Sequence, residues 1–202
     1  MLPGMDPAPP PDATDVAHDL GLITWAARQA DLMLNGMGNR WRHVQGVAAK
    51  AQIVGEAFEG EDREHLVAGA HLHDIGYAPV LHVTGLHQLD GALYLRSLGH
   101  ERLAALVAHH SEARFELKLR GYGSALDKYR REASSVSAAL VYCDLTTGPT
   151  GLPMTLDDRL SEVYERYGPD SLVSEALRQA TPHLRAAVDA TEMLLRRRGL
   201  MR

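Results

Sequence analysis

The stretch Leu66-Val67-Ala68-Gly69-Ala70-His71-Leu72-His73-Asp74-Ile75-Gly76-Tyr77 carries an ionisable pair where an apolar residue is expected. Leu66 and Ala70 stand one helical turn apart, and His73-Asp74 continues their side of the helix just before Gly76 ends it. A carboxylate turned toward a core costs several kcal/mol of desolvation unless a cation or hydrogen bonds compensate it.

The same pattern recurs on three other predicted helices. His43 precedes Val47, Ala51, Val54 and Phe58 on one apolar side. Leu103, Leu106 and Val107 lead to His110, and Val136, Leu140 and Cys143 lead to Asp144. His109 lies about 100° off the apolar face, so His110 is the inward member of that pair. Imidazoles and carboxylates converging from separate helices are most economically compensated by a shared metal. Such a donor set suits Fe, Mn, Zn, Co or Ni better than Ca. Periodicity alone leaves the competing reading open, in which each His is a hydrogen-bonded core residue and each Asp a helix cap or half of an ion pair.

Working outward, the spacing predicts helices over 16–35, 40–58 (closed by Gly60), 62–74, 87–98, 100–111, 128–146 and 156–167, with one or two more over 170–198. Residues 114–123 read as half loop. Thr155 with Asp158 resembles a capping box, and Thr181-Pro182 suits a second helix start inside the last segment. No run alternates strictly, so the fold class is all-α, a compact bundle of about eight helices in a single domain over 16–202. Residues 1–15 contain Pro3, Pro7, Pro9, Pro10 and Pro11 and read as a disordered tail.

Composition narrows the function. The 202 residues are 45% apolar and 23% charged with a net charge of −5, and no apolar run is long enough to span a membrane. A mildly acidic chain without a basic block is not expected to bind nucleic acid generally. The lone Cys143 and a start without a secretory pattern lead to the expectation of a cytoplasmic protein. A homo-oligomer is compatible with this composition. Histidine stands out, with 11 residues mostly between 43 and 110.

The ordered set Arg42-His43-Val44, His73-Asp74-Ile75-Gly76, His87-Gln88-Leu89-Asp90-Gly91-Ala92, His109-His110 and Tyr142-Cys143-Asp144 resembles the HD-domain superfamily of metal-dependent phosphohydrolases, over about residues 40–150. The resemblance implies an all-α fold in which His43, His73, Asp74 and Asp144 hold one divalent ion. His87 and His110 match histidines that hold a second ion in binuclear branches and face the substrate phosphate in mononuclear ones. Such a site lowers the pKa of bound water so that hydroxide is available near neutral pH. Asp74 would serve as ligand, as orienter of that water and, with two ions, as a bridge, which makes it the catalytic candidate.

The resemblance thus implies a small phosphorylated substrate, a nucleotide or related molecule, and one or two transition-metal ions. Some HD-fold proteins use the same set for a mixed-valent di-iron oxygenase, and a non-catalytic metal-binding module is the third reading. The absence of Gly-Tyr-Pro after His110 (here Ser111-Glu112-Ala113) disfavours the cyclic-dinucleotide phosphodiesterase branch. Arg40, one turn before His43, is the best candidate to bind substrate oxygens, ahead of Arg42, Arg114, Lys118 and Arg120. Glu64 and Asp90 are weak general-acid candidates. His71 should face away, His82 and His100 read as exposed, and Cys143 reads as a buried apolar residue. Thr146-Thr147-Gly148 reads as the end of its helix.

Overall fold

In the computed structural model, which describes residues 21–201, the expected all-α architecture is present. Among the described residues, nine α-helices follow in order: α1 (Leu22–Leu34), α2 (Asn39–Val54), α3 (Gly60–Leu72), α4 (His87–Ser97), α5 (Glu101–His109), α6 (Arg114–Leu119), α7 (Ser135–Leu145), α8 (Leu156–Tyr167) and α9 (Leu172–Arg197). Extended pairing among the described residues is limited to a single antiparallel bridge between Thr147 and Pro153. The proline-rich tail and the start of the first expected helix lie outside the described residues. No described helix is long and apolar enough to cross a membrane.

Helix α3 is the axis of the bundle and packs against α1, α2, α5 and α7. Its run Leu66-Val67-Ala68-Gly69-Ala70 is buried on every side, and its small residues let neighbours approach closely. A Cβ on Gly69 would meet Leu140 at 3.6 Å and Leu106 at 3.8 Å. Two apolar clusters flank it. Leu66, Val67 and Ala70 join Val47, Leu140, Leu160 and Leu184. Ala68 and Leu72 join Trp25, Ile75, Leu89, Leu95 and Leu103. The His73-Asp74 end of α3 therefore emerges between two packed layers.

Element boundaries differ from expectation where a cap outweighs periodicity. The helix expected over 40–58 ends at Val54 in a short 3-10 turn, and Gly60, with φ +51°, opens α3 instead of closing α2. The helix expected from 128 begins only at Ser135, because Ser134 and Ser137 form a reciprocal capping box. Thr155 caps α8 through the Asp158 N–H at 3.1 Å, and Gly168 ends that helix with φ +81°. Helix α9 continues through Pro182 as one element. There the Thr181 hydroxyl donates back to the Leu177 carbonyl at 2.7 Å instead of capping a new helix.

Candidate metal centre

Each candidate donor is aimed by its own local hydrogen bond. His73 closes α3 and directs Nδ1 at the Ala70 carbonyl, 2.8 Å away. His110 follows α5 and places Nδ1 2.6 Å from the Val107 carbonyl. His43, in the middle of α2, reaches the Gly148 carbonyl at 3.2 Å. That carbonyl belongs to the loop after α7, which presses on α2 so closely that a Cβ on Gly46 would lie 2.3 Å from the Gly151 oxygen. With Nδ1–H donating to backbone, all three rings turn the Nε2 lone pair inward, the tautomer a metal ligand needs.

The donors form two groups, His43-His73-Asp144 and Asp74-His87-His110, with ligand atoms in each lying within 4.8 Å of one another. In the first, His43 Nε2 is 3.0 Å from Asp144 Oδ1 and 3.4 Å from His73 Nε2. In the second, Asp74 Oδ1 is 3.4 Å from His87 Nε2 and 3.8 Å from His110 Nε2. Asp74 joins the groups, since its Oδ2 lies 3.4 Å from His73 Nε2 and 4.0 Å from His43 Nε2. Donors around one ion at about 2.1 Å can be no more than about 4.2 Å apart, so these spacings suit ligation.

Two further contacts hold the carboxylates. Arg40 donates through Nη1 to Asp74 Oδ2 while its guanidinium stacks 3.9 Å over the Tyr77 ring. The Ser111 hydroxyl donates to Asp144 Oδ2. Ser111 and Glu112 both carry positive φ, 52° and 55°, a left-handed pair of non-glycine residues directly after His110. Strain of this kind persists only where the surroundings over-determine it, and it gathers at functional sites.

The electrostatics call for a cation. Burial raises the carboxyls of Asp74 and Asp144, but the imidazoles, with Arg40 beside Asp74, outweigh it and hold both below the usual carboxylate range. Burial disfavours charge on His73, yet Asp74 and Asp144 prevail and lift it to about 9. Burial, against the pull of Asp74, pushes His87 down to about 3, and burial also lowers His110. Without a metal the centre thus combines two ionised carboxylates and a protonated His73 with His87 and His110 held neutral, and an ion bound there would take the place of the His73 proton. Facing lone pairs on His43 and His73 beside Asp144 need a proton or a metal between them.

The family model of the HD domain matches residues 40–143, a segment that contains five of the six donors. The chain belongs to the HD-domain family. Comparisons with curated proteins and with solved structures gave no match. The matched segment of the HD domain ends one residue before Asp144, so α8 and α9 lie beyond it.

Those two helices wall a cavity of about 310 Å³ that opens on the HD centre. Arg40, Asp74, His87, His110 and Asp144 line its inner end, and Leu160, Val163, Ala176, Leu177 and Ala180 line its apolar side. The structure brings all six expected donors and Arg40 together. It also adds residues that single-helix periodicity passed over: Tyr77, Ser111, Arg159 and Arg166. A left-handed Ser-Glu pair and an α8 face carry no local signal of what they cover.

The weaker candidates separate by their contacts. Asp90 accepts from the Thr84 and Gly85 N–H groups at 2.8 and 3.2 Å and so closes the loop before α4, which leaves it no acid role. Glu64 and Lys118 are exposed, and neither lines the cavity. Arg42 is exposed and bonded to Asn39, and Arg114 pairs with Glu112 at 2.6 Å. Arg120 lines the cavity mouth, paired with Glu116. His82 is exposed as expected. His100 is not: it is half-buried, with its ring 4.1 Å from that of Trp25. Cys143 is fully buried, and burial pushes its thiol up to about 12, so it is an apolar core residue. Thr146 and Thr147 donate to the Tyr142 and Cys143 carbonyls, both at 2.7 Å, and finish α7.

Proposed function

We propose that this HD protein is a metal-dependent phosphohydrolase, cleaving a phosphate ester or anhydride of a nucleotide or another small phosphorylated molecule with two divalent ions. The carrying observation is Asp74, whose two oxygens face different imidazole pairs. That is the form of a bridging ligand. His43, His73 and Asp144 would hold one ion, His87 and His110 the other, and Asp74 both. Ions bound there supply Lewis-acid charge for phosphoryl oxygens and lower the pKa of water at the site.

The chain's own groups do the rest. Arg40 keeps Asp74 ionised and offers its remaining donors to a phosphoryl oxygen, with its plane fixed against Tyr77. Ser111 holds Asp144 Oδ2, which leaves Oδ1 for the side facing His43. The apolar residues that α8 and α9 add to the cavity lower the polarity beside the site, which strengthens charge interactions there. The same donors suit the oxygenase reading, so the test is designed to separate the two. Protein purified anaerobically is assayed for metals and then screened over nucleotides and phosphorylated metabolites. Release of inorganic phosphate that a chelator abolishes and that oxygen does not affect is the expected result. Turnover that requires oxygen, with a mixed-valent iron signal, would replace this reading with the oxygenase.

A further inference from the structure

The cavity lining includes polar groups that the metal centre does not use. Arg159, on α8, is only 8% exposed and lines the cavity. Among the described residues its single side-chain hydrogen bond runs from Nη1 to Glu162, and its Nε is buried without a partner. A buried guanidinium with unused donors is costly, which makes it a group waiting for an acceptor. Glu162 cannot neutralise it, because the same carboxylate also accepts from Arg166, whose Nε lies 2.8 Å from Oε1. Two guanidiniums share one carboxylate, so the Arg159–Glu162–Arg166 group carries one excess positive charge. Gln88, one residue after His87, offers an acceptor and so suits a donor on the ligand body, not the oxyanion. It also lines the cavity, and its Oε1 is buried and unpartnered. Leu160, Val163, Ala176 and Leu177 supply apolar lining to the same cavity.

We infer that Arg159, supported by Arg166, forms a distal anion subsite, and that the substrate is a phosphorylated small molecule bearing a second oxyanion. This rests on the phosphohydrolase reading and narrows it. The scissile phosphate lies at the metal centre, a short apolar-tolerant body follows the α8–α9 wall, and the second phosphate or carboxylate meets Arg159. Arg159 lies beyond the matched family segment.

The test is equilibrium binding by calorimetry to metal-loaded protein. The probes are alkane-α,ω-bisphosphonates of increasing chain length and the matching monoalkylphosphonates, which cannot be hydrolysed. The inference predicts one chain length at which the bisphosphonate binds about tenfold tighter than its mono counterpart, the scale of a charge-assisted hydrogen bond. Arg159→Met should erase that advantage while metal content and monophosphonate affinity stay as in the wild type. Glu162→Gln, which frees both guanidiniums, should enlarge it, and this variant keeps the test open if Arg159→Met fails to fold. Equal binding of mono- and bisphosphonates at every length would overturn the distal subsite and leave the hydrolase reading intact. An advantage that survives Arg159→Met would also overturn it. Binding of neither probe to metal-loaded protein would overturn both readings together.

Discussion

The backbone of Gly76 lies so close to His87 that a Cβ on Gly76 would sit 1.9 Å from the His87 carbonyl oxygen and 2.6 Å from the Gly91 nitrogen. This contact brings the turn after Asp74 onto the first turn of α4 and sets His87 Nε2 3.4 Å from Asp74 Oδ1. The Gly of His-Asp-Ile-Gly and the Gly of His-Gln-Leu-Asp-Gly-Ala thus meet each other: Gly76 has no room for a Cβ, and one on Gly91 would press on the Gly76 nitrogen at 3.1 Å.

Gly76→Ala should therefore act on both fold and site. Overpacking against rigid backbone typically costs about 1–3 kcal/mol and sometimes more. The expected result is a lower urea midpoint together with loss of metal from the His87 side. Wild-type stability and metal content in this variant would show that the contact does not position His87.

His73→Ala and Asp74→Ala should each reduce bound metal several-fold and abolish phosphate release, since each removes a donor that faces the others at the centre. His71→Ala and His82→Ala should leave metal content near wild type, because neither belongs to a donor group. Metal analysis of the four purified variants checks both statements.

Much of this site was legible because its chemistry interrupts a regular pattern. His43, His73, His110 and Asp144 occupy core-facing positions, and helical periodicity identifies those from sequence alone. Periodicity does not say which neighbour a face will cover. The α8 face with Leu160 and Val163 reads as an ordinary amphipathic helix, and only the tertiary arrangement reveals it as the cavity wall with Arg159. The late start of α7 was obscured for a related reason, since residues 128–134 are compatible with a helix until the Ser134–Ser137 cap competes. Likewise the strained Ser111 holds Asp144 through a conformation that sequence pattern does not encode.

The metal-free protein should show a distinctive pH dependence. His73 is raised from 6.5 to about 9 in the fold, because Asp74 and Asp144 outweigh the effect of burial. Its contribution to stability is complete below the unfolded value of 6.5 and is lost as pH rises through about 9. Asp74 and Asp144 are lowered, so their contribution holds above the ordinary value of 3.8 and fades as pH falls further. Urea midpoints in chelator should thus fall between pH 6.5 and pH 9. Metal-loaded protein should lack that fall, since the ion replaces the proton. An identical alkaline decline in both forms would contradict the assignment of His73 as a ligand.

The claim that Asp74 joins two metal sites is tested most directly by metal stoichiometry in anaerobically purified wild type and in His110→Ala. His110 lies 3.8 Å from Asp74 Oδ1 and belongs only to the second donor group. Close to two ions per chain are expected in the wild type and close to one in the variant, with the His43-His73-Asp144 ion retained. One ion per chain both before and after the substitution would contradict the binuclear centre.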